Sequence, residues 1–464
     1  MQIIDDEGNL FGLVNVIDAL VILLVLAVGV AGAALVFGGF SHSTSDRATT
    51  NVTLDLGAQP EYIVESLNEG DTYSPTDNAQ LTITDVHLTP QGSDTQVLVR
   101  ARLQGEATNE SIVYDGAPPR LGRELSISTD TYQVSGTVRD VGGSDAFTTN
   151  ETTVQLRTTL PPSDAESLNS GDLVSVAGRT VATIDDVAVY DSGDPDQRVA
   201  YLTATLQTLG DGNQRSFGNT VLRRGTTITL PTDDVVVDGR IQQIGSGLEQ
   251  ATTQVLVSDT VNADTAIAID EGDAYRVAGR DVGTVESVTA YGTNNPNRKR
   301  VYVGLNLTII RDSALPKFGA TGIREGASVP FQTPEYELSG SVERVGALEQ
   351  RGQATDRTVT LQIRDVRPDL AQSIRVGAAE STGGTTVARI TSVNRTSSSV
   401  ILTSQDGNIF EREHPVNQDI TFEANLSVRE TTTGTTFKGN TIQRGSEVVL
   451  DLGDVTIRAT VVSL

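Results

Sequence analysis

The sequence predicts an all-β chain, with an N-terminal transmembrane helix followed by four tandem repeats of a small β-barrel or β-sandwich domain. Three observations carry this expectation. A landmark glycine opens a segment four times, at Gly70, Gly171, Gly272 and Gly377; the first three stand 101 residues apart and the fourth 105 further on. A second glycine recurs downstream in each segment, at Gly122, Gly225, Gly326 and Gly445. Between them β-branched and polar residues alternate, as in VYVGLNLTI (301–309), which gives a strand one buried and one wet face. A period near 100 residues exceeds a solenoid unit and fits a domain with its own core.

Residues 1–18 form an acidic start and a short segment whose Leu10, Phe11, Leu13, Val14 and Ile17 suit a membrane interface. Residues 19–40 read ALVILLVLAVGVAGAALVFGGF, without a charge, and are long enough to cross a hydrocarbon core of about 30 Å. A secretory signal has a cationic start and a shorter apolar run, so the expectation is an uncleaved single-pass anchor. Gly29 and Ala33 make a small-xxx-small pair through which two anchors can pack, so a homo-oligomer is possible. Residues 41–50 are Ser/Thr-rich and read as a linker.

The repeats are expected at 51–157, 158–259, 260–366 and 367–464. Each holds roughly seven to nine short strands, a number that suits a small barrel or sandwich. Gly70, Gly171, Gly272 and Gly377 are read as turn positions. The Asp that follows the first three becomes Ala378 in the fourth, which favours a turn role over an acid one. FGNTVLRRG (217–225) recurs as FGATGIREG (318–326) and FKGNTIQRG (437–445). Phe is scarce in the chain, so Phe217, Phe318 and Phe437 are read as core anchors. SGTVRDVG, DGRIQQIG and SGSVERVG close the first three repeats at Gly142, Gly245 and Gly346.

The net charge is -26, and only three of the 34 basic residues are lysines: Lys299, Lys317 and Lys438. Acidic excess with arginine retained is the expected surface of a protein working in molar salt, where screening removes most carboxylate repulsion. No basic patch is present to neutralise phosphates, so nucleic acid is not an expected partner. The chain has no cysteine, and its three histidines, His42, His87 and His414, lie in different segments. Disulfides and thiolate metal sites are excluded. The one weak metal candidate is the loop DSGDPD (191–196), where Asp191, Asp194 and Asp196 could offer oxygens to calcium. The corresponding loop of the third repeat, GTNNPNRKR, has no carboxylate.

No nucleophile elbow, phosphate loop or zinc-protease motif occurs, so no catalytic residue and no cofactor are expected. Asn51, Asn109, Asn150, Asn306, Asn394 and Asn425 each begin an Asn-X-Ser/Thr triplet. These glycosylation candidates favour placing the repeats outside the cytoplasm, because the flanks of the anchor lack the basic bias that sets orientation.

The N-terminal pieces Ile4-Asp5-Asp6, Gly8, Leu10-Phe11-Gly12, Asn15 and Ile17-Asp18, followed by the apolar run, resemble the start of an uncharacterised family. Its members are N-terminally anchored membrane proteins of haloarchaea and some bacteria, catalogued only as a domain of unknown function. The resemblance is close over residues 3–28 and implies a single-pass membrane protein. Separately, VAGRDVGTVESV (277–288) followed by an alternating strand resembles the lipid-shuttling domains of bacterial envelopes. The functional expectation is a membrane-anchored, extracytoplasmic β-repeat protein of an extreme halophile, acting as a cell-envelope scaffold or binding module with other envelope proteins as partners. The alternative is an oligomeric transfer protein for lipid or another apolar ligand.

Overall fold

The computed structural model describes residues 9–10, 14–15, 47–92, 94–108, 111–210, 214–311, 315–382, 385–403 and 408–464. The helix expected over residues 19–40 lies outside them, and among the described residues no helix is long and apolar enough to cross a membrane. Of the first 18 residues, Asn9–Leu10 pairs antiparallel with Val14–Asn15.

The chain is all-β and, besides that short pair, builds four large sheets, one per repeat. Repeat two shows the plan. A central strand, Thr149–Leu160, leads into a one-and-a-half-turn helix, Pro162–Ser167. A hairpin of Leu173–Val176 and Arg179–Asp191 follows, and Arg198–Leu209 returns beside the central strand. A closing hairpin, Thr227–Pro231 and Val236–Ile244, covers the other side of the central strand. All pairings are antiparallel. Repeats three and four repeat this order around the central strands Gln250–Asn262 and Gln353–Val366, and repeat one around Arg47–Gln59.

The sandwich expectation is corrected by this topology: each repeat is a single curled sheet rather than two stacked ones. In repeat two the edge strands Leu173–Val176 and Thr227–Pro231 come close without pairing, so the sheet is a half-barrel. The curl has a local cause. In repeats two to four the register shifts at the same place on the first long hairpin strand, at Ile184/Asp186, Val285/Ser287 and Ile390/Ser392. A second shift lies between each central strand and its closing strand, opposite Gln155/Leu156, Leu256/Val257 and Thr360/Leu361, where the closing strand carries one extra residue, Gln242, Glu343 and Val462. Extra residues in one strand bend it and deepen its twist. The concave face collects the apolar alternation: in repeat four Val359, Leu361, Ile390, Phe422, Leu426, Leu450 and Ile457 form one buried cluster.

The expected repeat boundaries also move. Positions 157/158 and 259/260 fall inside Thr149–Leu160 and Gln250–Asn262, and 366/367 falls after Gln353–Val366. Each repeat therefore begins roughly ten residues earlier, on its central strand. Arg47–Thr50, assigned to the linker, likewise belongs to the first strand of repeat one. Nothing local marks these strands as beginnings, because their partners arrive roughly forty to a hundred residues later.

The recurring glycines occupy one place in every repeat. Gly70, Gly171, Gly272 and Gly377 have φ of +93°, +96°, +97° and +89°, a region open to glycine. Each donates its amide to a carbonyl of the first hairpin: Ile83, Ile184, Val285 and Ile390. The following Asp71, Asp172 and Asp273 accept the amide three residues before them, from Asn68, Asn169 and Asp270, and so close the turn after the helix. In repeats one and three the turn is also tied to the closing hairpin, where Tyr132 and Tyr336 donate to Asp71 and Asp273 at 2.6 Å.

The described chain divides into two compact units. One holds Tyr62–His87 and Val97–Phe147 with the strand before them up to Gly57. The other holds Ala58–Glu61, Leu88–Gln96 and Thr148–Leu464. Repeats two, three and four thus share one unit, which departs from the expectation of separate domains for each.

Candidate functional site at the repeat joints

Within the second unit, the Phe-Gly motif of one repeat sits against the first hairpin of the repeat before it. Phe217, Phe318 and Phe437 are buried to the same extent, each 4% exposed. The residue after each Phe takes a left-handed conformation: Gly218 (φ +57°), Gly319 (+57°) and Lys438 (+53°). That turn brings backbone close to the preceding repeat. A Cβ on Gly319 would lie 3.0 Å from the Tyr190 Cβ, and one on Gly439 would overlap the Tyr302 hydroxyl. Gly218 has the same crowded relation to Thr89, which lies in the part of repeat one that belongs to this unit.

The joint between repeats two and three is aromatic. Tyr190 and Phe318 meet edge to face with ring centroids 5.3 Å apart, a preferred geometry for such pairs. Tyr201 donates to the Gly319 carbonyl at 3.0 Å, and Tyr190 to that of Thr308 at 3.2 Å. Tyr275 packs against Phe318 and Phe331 and donates to Asp191 at 3.2 Å. Burial pushes the Tyr190 and Tyr275 hydroxyls well above the ordinary phenol range, and at Tyr275 the Asp191 carboxylate adds to it. Arg280 reaches the end of the helix of repeat two, donating to the carbonyls of Leu168 and Ala165. A helix C-terminus presents unpaired carbonyls, so a guanidinium there is well placed.

The joint between repeats three and four uses ionic groups at the same stations. Glu380 stands where Tyr275 stands one repeat earlier, and Lys438 where Gly319 stands. Glu380 is 1% exposed and accepts from the Gly292 amide at 2.7 Å and the Asp451 amide at 3.1 Å. Lys438 donates to Glu380 at 2.6 Å, to the Val449 carbonyl at 2.8 Å and to that of Gly292 at 3.3 Å. Lys299 pairs with Asp451 beside them. Burial pushes the Lys438 ammonium below its ordinary pKa, opposed by Glu380 and Asp451. Both buried charges are thus hydrogen-bonded by backbone as well as by each other, the condition under which burial is tolerated.

Open clefts flank both joints. One of about 690 Å³ is lined by Asp191, Arg198, Tyr275, Arg276 and Tyr336 among others. The second, about 540 Å³, is lined by Tyr291, Arg298, Arg300, Lys438 and Glu447 among others.

Repeat four departs from the others on its outer face. The aromatic pairs that receive the next repeat, Tyr190 with Tyr201 and Tyr291 with Tyr302, are replaced there by Thr396 and Thr421. Repeat four instead lengthens its hairpin to Thr385–Thr403 and Ile409–Thr431. The strands stay paired from Ser399↔Glu413 to Thr403↔Ile409, past the end of the central strand, whose last pair with the return strand is Val366↔Gln418. His414–Asn417 form the elbow: the His414 Nδ1 accepts the amides of Val416 and Asn417, and Asn417 donates to Asp365.

The loop 191–196 does not gather its carboxylates. Asp191 is engaged by Gly193 N and Tyr275 and lies 3.8 Å from Arg198, while Asp194 accepts the Asp196 amide. Among the described residues no group of three or more His, Asp or Glu is arranged to hold a metal ion. Of the sequons, Asn109 lies outside the described residues. Asn51, Asn150, Asn306 and Asn425 are half-buried in strands, and Asn394 is exposed on the first hairpin of repeat four. Asn51 and Asn150 donate to the carbonyls of Gly143 and Gly210.

Residues 1–142 match the family model described as a domain of unknown function (DUF4330). The match runs through the first repeat and ends at the glycine that closes it. No curated protein matches the chain.

Proposed function

We propose that this chain is a scaffold or binding module of the cell envelope. In this reading residues 19–40 form a single-pass anchor, the repeats stand outside the cytoplasm, and the surface is adapted to molar salt. The observation that carries it is the joint construction. Repeats two to four are keyed to one another by different chemistry at equivalent stations: Tyr275 reaches Asp191 at one joint, and at the next the buried Glu380 and Lys438 both engage Gly292 of repeat three, beside the Lys299–Asp451 pair. Such keying fixes the order of repeats and holds their clefts in a constant relation, as a platform for other envelope proteins requires. The reading assigns no catalytic step, cofactor or metal.

The experiment is crosslinking in intact cells grown in high salt, using a photoreactive residue at Arg276 or Arg300 in the two clefts, with protease added outside. A discrete crosslinked protein, and digestion of the repeats by external protease, is the expected result. Repeats protected from external protease would overturn the placement. A second reading, an oligomeric transfer protein for lipid, is favoured by one observation: the hairpin of repeat four ends in exposed apolar side chains. A purified hexamer carrying stoichiometric lipid would promote it.

A further inference from the structure

We propose that the cleft between repeats three and four binds an acidic saccharide, a sugar chain bearing carboxylate or sulfate groups. The proposal rests on the binding-module reading and names what that cleft takes. Its basis is a reversal of charge between two clefts at equivalent stations. The cleft between repeats two and three is lined by Glu166, Asp191, Asp273 and Glu335 against Arg198 and Arg276. Both arginines there have acidic neighbours: Arg198 lies 3.8 Å from Asp191, and Arg276 pairs with Asp281 at 2.6 Å. Among the described residues, Glu447 is the only carboxylate lining the cleft between repeats three and four, against Arg298, Arg300 and Lys438. Lys438 is matched by Glu380, and Glu447 has Arg458 at 3.6 Å. Among the described residues neither Arg298 nor Arg300 is paired with a carboxylate, in a chain that carries 60 acidic residues against 34 basic ones.

The hairpin sequence supplies the reversal. DSGDPDQR (191–198) in repeat two has three carboxylates, and GTNNPNRKR (292–300) in repeat three has none. Arg298 and Arg300 open the strand Arg298–Ile310, so they stand on one face roughly 7 Å apart. Lys299 between them turns to the other face and pairs with Asp451. Arg298 also donates to the Thr260 carbonyl, which fixes it at the cleft wall and uses one of its five N–H donors.

Salt decides what such a site can recognise. In molar salt the Debye length is about 3 Å, so attraction at a distance is lost and direct contact carries the binding. A guanidinium makes that contact as a planar fork matched to a carboxylate or sulfate. Beside the forks lie Asn294 and Asn440, exposed amides that both donate and accept, as the hydroxyls of a sugar require. The rings in the lining, Tyr291 and Phe437, are buried, which leaves no face for a nucleobase to stack on. Two guanidiniums are also too few to hold a nucleic-acid backbone in molar salt. Ile442 and Val448 are buried as well, so the cleft offers no apolar pocket to the side chains of a peptide. Its volume of about 540 Å³ lies within the range of ligand sites.

The test is calorimetric titration of the full-length chain in detergent and 2 M KCl with three probes: trigalacturonate, the neutral maltotriose, and hexaglutamate. Trigalacturonate should bind, and the other two should bind roughly tenfold more weakly or not at all. Arg300→Gln should lower the affinity for trigalacturonate roughly tenfold or more. Arg300→Lys keeps the charge without the fork and should lose most of the same affinity. Arg102→Gln removes an equal charge from repeat one and should change nothing. The three variants should melt with the unaltered chain, so that a loss at position 300 reports on binding. Absence of trigalacturonate binding would overturn the proposal, and so would an affinity that Arg300→Gln does not move. Equal binding of maltotriose would remove the role of charge, and equal binding of hexaglutamate would assign the cleft to an acidic peptide. The titration uses purified protein and the protease experiment uses intact cells, so failure of the ligand assignment is distinguishable from failure of the envelope reading.

Discussion

Lys438 holds its ammonium 2.6 Å from the carboxylate of Glu380, and both are buried where repeat four meets Gly292 of repeat three. Removing one partner leaves a buried charge without its counterion. Lys438→Met should therefore cost about 3–5 kcal/mol in chemical denaturation. The preceding joint supplies the design of a rescue. Glu380→Tyr with Lys438→Gly installs the residues found at Tyr275 and Gly319, and should cost at least ~2 kcal/mol less than the two single changes added together. Additive costs would show that the two residues do not act as a pair.

Close backbone approach makes a second prediction. Gly439 has φ +79° and no room for a Cβ beneath the Tyr302 hydroxyl. Gly439→Ala should destabilise by more than ~2 kcal/mol, through backbone strain and the shift forced on Tyr302. Gly453→Ala, at φ +88° with open space around it, bears the strain alone and should cost less. Equal melting temperatures for the two variants would contradict the joint geometry.

His87 gives a pH dependence. It is buried, its Nε2 has no hydrogen-bond partner among the described residues, and burial pushes its pKa down to about 4 against the opposing pull of Asp85. The folded pKa lies below the unfolded value near 6.5, so the neutral ring favours the fold. Its contribution is fully present above pH 6.5 and is lost as pH falls toward 4, by about 3 kcal/mol. His87→Leu should flatten that part of the pH–stability curve. A wild-type-minus-variant difference that does not change between pH 7 and 4 would exclude it.

The charge balance makes a prediction about salt. With a net charge of -26, lowering salt from 2 M to 0.1 M lengthens the Debye length from about 2 Å to about 10 Å and restores carboxylate repulsion. The melting temperature should fall by many degrees across that range. A constant value would oppose the halophile reading.

The all-β class, the fourfold period and the turn glycines were legible because each is local: alternation at period two, and φ values that only glycine takes easily. The half-barrel was not. Whether a sheet curls alone or stacks on another depends on bulges at Ile184/Asp186 and its equivalents, which leave no mark in composition. The central strands were assigned to the wrong repeat because their partners are distant in sequence. Phe318 was read as a core anchor. The structure places it at a joint as well, against Tyr190 of the repeat before it, and a single repeat's pattern carries no signal of that. The longer hairpin of repeat four did leave a signal. Gly377 and Gly445 stand 68 residues apart, against 54 for Gly272 and Gly326, and the extra length carries two short apolar runs, 400–402 and 409–410.

The central claim is that repeats two to four are one interlocked unit rather than three independent domains. Hydrogen exchange read by mass spectrometry, in molar salt with rising denaturant, tests it most directly. The central strands Thr149–Leu160, Gln250–Asn262 and Gln353–Val366 should lose protection together at one midpoint. Phe318→Ala, at a cost of about 3–5 kcal/mol, should separate repeat two from the other two. Three separate midpoints in the unaltered chain, with only that of repeat three moved by Phe318→Ala, would contradict the claim.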